Sequence, residues 1–102
     1  MIAVSGTVKG KVLFRDFRPN LKLEKPSGPI LAVLDLRTEY LTEIQRRVKD
    51  FTGSSEFVLT YYERFIDLLV TEGERYVVAI FSKETDIQNI VDVSKEIRAL
   101  LH

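Results

Sequence analysis

Residues 64–101 read RFIDLLVTEGERYVVAIFSKETDIQNIVDVSKEIRALL, and their patterning decides the fold. The first part alternates with period two, the signal of a strand. Phe65 and Leu69 fall on one face, and Ile66, Leu68 and Val70 on the other. Arg75–Ser82 repeats the pattern, with Tyr76, Val78 and Ile80 against Val77, Ala79 and Phe81. Glu72-Gly73-Glu74 supplies a hairpin turn between them. Both strands are apolar on both faces over much of their length, so both faces are covered and the strands are central. After the polar break KETD, residues 86–101 place Ile87, Ile90, Val91, Ile97 and Leu101 on one helical stripe. Thr85 and Gln88 have capping-box spacing.

Working towards the N-terminus, Glu56–Glu63 is a further strand, with Phe57, Leu59 and Tyr61 opposite Val58, Thr60 and Tyr62. Its centre holds no Lys, Arg, Pro or Gly, the usual deterrents to edge pairing. In the middle of a sheet such a strand is core; at an edge it invites another chain. Residues 30–51 read as a long helix, with Pro29 in its first turn and Gly53 as its C-terminal stop. Ile30, Val33, Leu34, Tyr40, Leu41, Ile44, Val48 and Phe51 share one face, expected to be the core face. Arg37 interrupts it. A kink near Thr38, or a short buried strand over ILAVLDL, would account for that. Residues 18–29 form a loop holding all three prolines, and residues 2–17 a hairpin turning at Lys9-Gly10, with Gly6 marking a bulge. The order is β-β-α-β-β-β-α, an α+β fold: a five-stranded, mainly antiparallel sheet sandwiched by helices, in one domain over residues 1–102.

The chain has 102 residues, 45% of them hydrophobic, 15 basic and 15 acidic groups, and no cysteine. A chain of this length can bury one core. Disulfide frameworks, thiol nucleophiles and thiolate metal sites are excluded. No stretch approaches the ~20 apolar residues that span a bilayer, and residues 1–20 lack a secretory signal pattern. The only histidine is His102, and the five glycines form no phosphate-binding motif, so no catalytic residues, metal or cofactor are expected. The zero net charge is a cancellation: residues 1–51 carry ten basic and six acidic groups, residues 52–102 five and nine. It argues against a nucleic-acid partner. Lys9, Lys11, Arg15, Arg18, Lys22 and Lys25 face only Asp16 and Glu24 across residues 9–25. This cluster reads either as a patch for an anionic partner, lipid or acidic protein, or as protection of an edge strand.

The element order and the 64–101 stretch resemble the longin fold and the related roadblock domains of the profilin-like group; ILAVLDLRTEYL is similar to the first helix of sedlin-type longins. The resemblance implies a cytoplasmic, non-enzymatic protein that dimerises with itself or with another longin- or roadblock-like chain. It further implies a platform for a small Ras-like GTPase or a vesicle-tethering complex. The third strand would lie at a sheet edge, placing Glu56, Phe57, Val58, Leu59, Thr60, Tyr61 and Tyr62 at the dimer interface. Glu43, Arg46, Arg47 and Asp50 of the adjacent helix would join them. The alternative reading is a peripheral module that binds anionic lipid or peptide through residues 9–25, in contact with a membrane surface.

Overall fold

A computed structural model describes residues 3–8, 11–17 and 28–101, the first two stretches by their backbone. The elements are β1 (Ala3–Val8), β2 (Lys11–Phe17), α1 (Gly28–Thr52), β3 (Val58–Tyr61), β4 (Ile66–Glu72), β5 (Arg75–Phe81) and α2 (Ile87–Leu101). The strands are hydrogen-bonded in the order β2-β1-β5-β4-β3, every pair antiparallel. The fold is therefore α+β, and the two doubly apolar strands β4 and β5 are interior. The register of β1 on β2 shifts between Gly6 and Thr7, at the bulge that Gly6 announced. The Lys9-Gly10 turn and residues 18–27 of the loop lie outside the described residues.

Ile66, Leu68 and Val70 of β4 join Ala79 and Phe81 of β5 and Ile90 of α2 in one buried cluster, flanked by Phe57, Leu59, Val93, Ile97 and Leu101. Alternate β4 residues face the other way. Asp67 is paired with Thr60 in the β3 register, and Thr71 donates a hydrogen bond to Gln45 of α1. The two helices thus lie on opposite faces of the sheet. The β4–β5 turn is made possible by Gly73 at φ 62.

α1 is one continuous helix over Gly28–Thr52, so ILAVLDL is helical and not a strand. Pro29 sits in its first turn, where a missing N–H costs nothing. Gly53, at φ 77, ends it, its N–H donating to the Lys49 carbonyl at 2.7 Å. The face of α1 turned to the sheet is not the expected one. Its buried residues are Thr38 and Thr42, 6% and 7% exposed, while Ile30, Val33, Tyr40, Ile44, Val48 and Phe51 face outward. Burial of the threonines is inexpensive because each hydroxyl donates to its own helix: Thr38 to the Leu34 carbonyl at 3.0 Å, Thr42 to the Thr38 carbonyl at 2.9 Å. Leu34 and Leu41, half-buried, are the only members of the predicted face that turn inward.

The start of α2 also differs from the spacing argument. Asp86, not Thr85, is the cap: its Oδ1 accepts the Gln88 N–H at 3.3 Å, and the Gln88 side chain reaches forward to Asp92. Thr85 instead shares a hydrogen bond with Ser82 at 3.2 Å. Replacing Asp86→Ala should cost about 1 kcal/mol of stability in denaturant titration, and Thr85→Ala less; the reverse order would restore Thr85 as the cap.

Candidate functional site

β3 lies at the end of the sheet and pairs only with β4. The Tyr62 N–H donates to the Phe65 carbonyl at 2.9 Å. In an antiparallel ladder the groups that turn inward alternate, so Thr60 and Val58 also point to β4. The N–H and C=O groups of Leu59 and Tyr61 face the open edge. The strand expected over Glu56–Glu63 is shorter: Val58, Leu59, Thr60 and Tyr61 form β3, with Glu56 and Phe57 before it and Tyr62 after it. Phe57, Val58, Leu59, Thr60 and Tyr62 are half-buried, and Glu56 and Tyr61 are exposed. Lys83 stands 5.0 Å from the centre of the Tyr61 ring, a cation–π contact.

Beside this edge runs the outward face of α1. At 100° per residue, Val33, Tyr40, Ile44 and Phe51 lie within about 20° of one direction, with Leu36 and Val48 about 60° to either side. Phe51 is 94% exposed and Tyr40 69%. Exposed apolar side chains clustered in this way are a common feature of binding surfaces. Of the expected helix residues, Glu43, Asp50 and Arg46 lie on its far flank, about 80–140° from its centre, while Arg47 lies about 40° from the centre, within the stripe. Glu43 accepts from Arg46 at 2.9 Å and from Arg47 at 3.1 Å within the helix. Exposed pairs of this kind contribute little.

Between stripe and edge sits Arg37, which the periodicity marked as an exception. Its Nη2 donates to Thr60 Oγ1 at 2.8 Å, and its guanidinium lies 5.6 Å from the centre of the Tyr62 ring, which tilts against Phe65. Arg37 also offsets the charge of Asp67, a carboxylate that is only 6% exposed in a central strand. Sequence reasoning passed over Asp67. The available signal was a pair of rule-breakers, an acid amid FIDLLV and a base amid an apolar helix face, which make sense only together. Burial raises the Asp67 carboxyl above its ordinary 3.8, and Arg37 pulls it part of the way back.

The far end of the edge is held by α2. Arg98 donates to Glu72 at 2.9 Å and to the carbonyls of Ser55 and Glu56, tying the approach to β3 against β4. A polar cleft of about 400 Å³ opens beside this clamp, lined by Gln45, Lys49, Ser54, Thr71 and Glu74 among others. Its charges are of both signs and Arg98 is already engaged, so it reads as scaffold. Of the basic cluster, Lys11 and Arg15 belong to β2, the opposite edge of the sheet; Lys9, Arg18, Lys22 and Lys25 lie outside the described residues. Among the described residues no set of acidic or histidine side chains converges as a metal site, and no helix is long and apolar enough to cross a membrane.

No protein-family model matches the sequence, and no curated protein matches it. Solved structures do. The fold is similar to that of a Roadblock/LC7 domain from Streptomyces avermitilis, with TM-score 0.67 and 11% identity over 97% of this chain and 83% of that one. It is also similar to the gliding protein MglB from Thermus thermophilus, with TM-score 0.61 and 14% identity over 93% of this chain and 70% of that one. The chain therefore has a roadblock/longin-like fold.

The raised Asp67 carboxyl fixes a sign. The folded state holds this proton more tightly than the unfolded chain, so the group's stabilising contribution is complete below 3.8 and is lost as pH rises through the folded midpoint. Removing the opposing charge with Arg37→Met should move the Asp67 midpoint further up, read from its carboxyl carbon shift by NMR. An unchanged or lowered midpoint would separate Arg37 from Asp67.

Proposed function

We propose that this protein is a non-catalytic, dimerising adaptor that serves as a platform for a small Ras-like GTPase or a vesicle-tethering complex. The observation that carries the reading is the juxtaposition of an open β3 edge with the exposed apolar stripe of α1. A strand edge supplies main-chain hydrogen bonds, and an adjoining apolar face supplies the burial that holds two chains together. The roadblock/longin-like fold supports the same reading, since the dimers that the sequence resemblance implies use this strand and helix. The Glu56–Tyr62 edge enters the interface as expected from the sequence. On α1 the apolar residues take the centre of the interface, with Glu43, Arg46 and Asp50 towards its rim and Arg47 among the apolar residues, because charged side chains are depleted where an interface is fully buried. A partner GTPase or tether then docks on the composite surface that two copies create.

Light scattering after size exclusion should return a dimer at micromolar concentration. Tyr40→Glu should weaken self-association at least about tenfold, because an unpaired carboxylate in an apolar contact costs several kcal/mol. Leu100→Glu, on the exposed side of α2, should leave the dimer intact. A monomeric wild type, or equal loss from both variants, would remove the dimer reading. Photo-crosslinking from the source cell should recover a Ras-like GTPase or a tethering subunit whose binding repeats with purified proteins. A dimer that binds neither would refute the platform role.

A further inference from the structure

The β3–β4 ladder stops early. Its last pair is Val58 with Leu69. In the same register the next pairs would be Phe57 with Val70, Glu56 with Thr71 and Ser55 with Glu72. The side chains continue this pattern although the ladder does not. Phe57 and Val70 already belong to the same core, on the face covered by α2. Glu72 and the Ser55 carbonyl are both held by Arg98 of α2. Thr71 points the other way, to Gln45 of α1. The alternation is in place for three more pairs, yet among the described residues no main-chain hydrogen bond joins Glu56 to Thr71.

Arg98 accounts for the interruption. Its Nη2 donates both to the Ser55 carbonyl, at 2.8 Å, and to the Glu56 carbonyl. Successive carbonyls of a strand point to opposite sides, so one nitrogen cannot reach two of them. Residues 55 and 56 are therefore held out of strand conformation for as long as Arg98 grips them. Its Nη1 is anchored on Glu72 at 2.9 Å. Ser54, Ser55, Thr71 and Glu72 line the cleft that opens here, so space separates the two segments rather than packed side chains.

We infer that Arg98 is a latch on the length of the sheet edge: when its guanidinium releases the two carbonyls, residues 55–57 zip onto 70–72 and β3 grows from four residues to Ser55–Tyr61. Glu56 and Thr71 then exchange two main-chain hydrogen bonds, each N–H donating to the other's carbonyl. The latched and zipped states differ by a handful of hydrogen bonds of modest net worth, so a charge-assisted clamp on the same segment can decide between them. The outward main-chain groups, now those of Leu59 and Tyr61, come to include Phe57 and Ser55. This rests on the reading of β3 as a docking edge and adds its regulation: α2, on the face opposite α1, sets how much strand a partner can pair with.

Amide exchange followed by NMR reads the latch. Glu56 and Thr71 lie between β3 and β4 of one chain, so the result does not depend on dimerisation. In the unaltered protein both amides should exchange at least about tenfold faster than Thr60, which is paired with Asp67. In Arg98→Met, which keeps an apolar stem, both should slow by at least about tenfold. A short Hα–Hα contact between Phe57 and Val70 should appear with them, as in any close non-hydrogen-bonded pair. Adding Glu56→Pro removes an N–H that the longer ladder needs and should return Thr71 to fast exchange. Protection of Thr71 equal to that of Thr60 in the unaltered protein would overturn the latch. So would unchanged exchange in Arg98→Met, fraying of Val58–Thr60 or loss of the fold in that variant. A monomer by light scattering would instead remove the dimer reading and leave the latch standing.

Discussion

A single buried carboxylate constrains how α1 can sit. Asp67 occupies an interior strand, on the face that α1 covers, where burial disfavours its charged form. Arg37 of α1, held by Thr60 and the Tyr62 ring, offsets part of that cost. With Arg37 turned to this corner, Thr38 and Thr42 come down on the sheet and the apolar stripe turns outward. Polar and charged groups of this kind add little net stability; their better-attested use is to choose one arrangement among several of similar energy. Here the choice is between a helix that hides its apolar face in its own sheet and one that presents it.

The two edges of the sheet are treated in opposite ways. β2 carries Lys11, Arg15 and Asp16 within its seven residues, the charge that discourages accidental pairing. β3 carries none in its four, leaves the Leu59 and Tyr61 amides open, and is braced at its start by Arg98. An unprotected edge is a hazard unless it is used. Its position beside the α1 stripe joins an open strand edge and an exposed apolar face on one side of the molecule.

Much of the fold was legible because backbone punctuation and strand patterning are local. Gly53 and Gly73 stand where positive φ is needed, Gly6 at the bulge, Pro29 in the first turn, and the doubly apolar β4 and β5 in the interior. The orientation of α1 was not legible, for a physical reason. Periodicity shows that an apolar face exists but not what covers it, and a buried threonine whose hydroxyl bonds its own helix looks in sequence like a surface residue. Arg37 and Asp67 are 30 positions apart, so each reads singly as an exception. Composition at Phe57–Tyr62 leaves core and edge open, and the resemblance alone puts this strand at an edge, beside Glu43, Arg46, Arg47 and Asp50 of the helix. The apolar residues of the outward stripe carry no mark in the sequence that separates them from core residues. At the start of α2, two oxygen-bearing residues in succession, Thr85 and Asp86, left the cap one position ambiguous.

The most direct measurement is amide hydrogen exchange at Leu59 and Tyr61, the groups of β3 that face the open edge. If β3 and α1 form the interface, these two amides exchange slowly at concentrations where the protein is dimeric. They exchange fast on dilution or in the Tyr40→Glu variant, while Thr60, bonded within the chain, stays protected throughout. Fast exchange at Leu59 and Tyr61 in a demonstrably dimeric sample would contradict the account and move the interface elsewhere on the molecule.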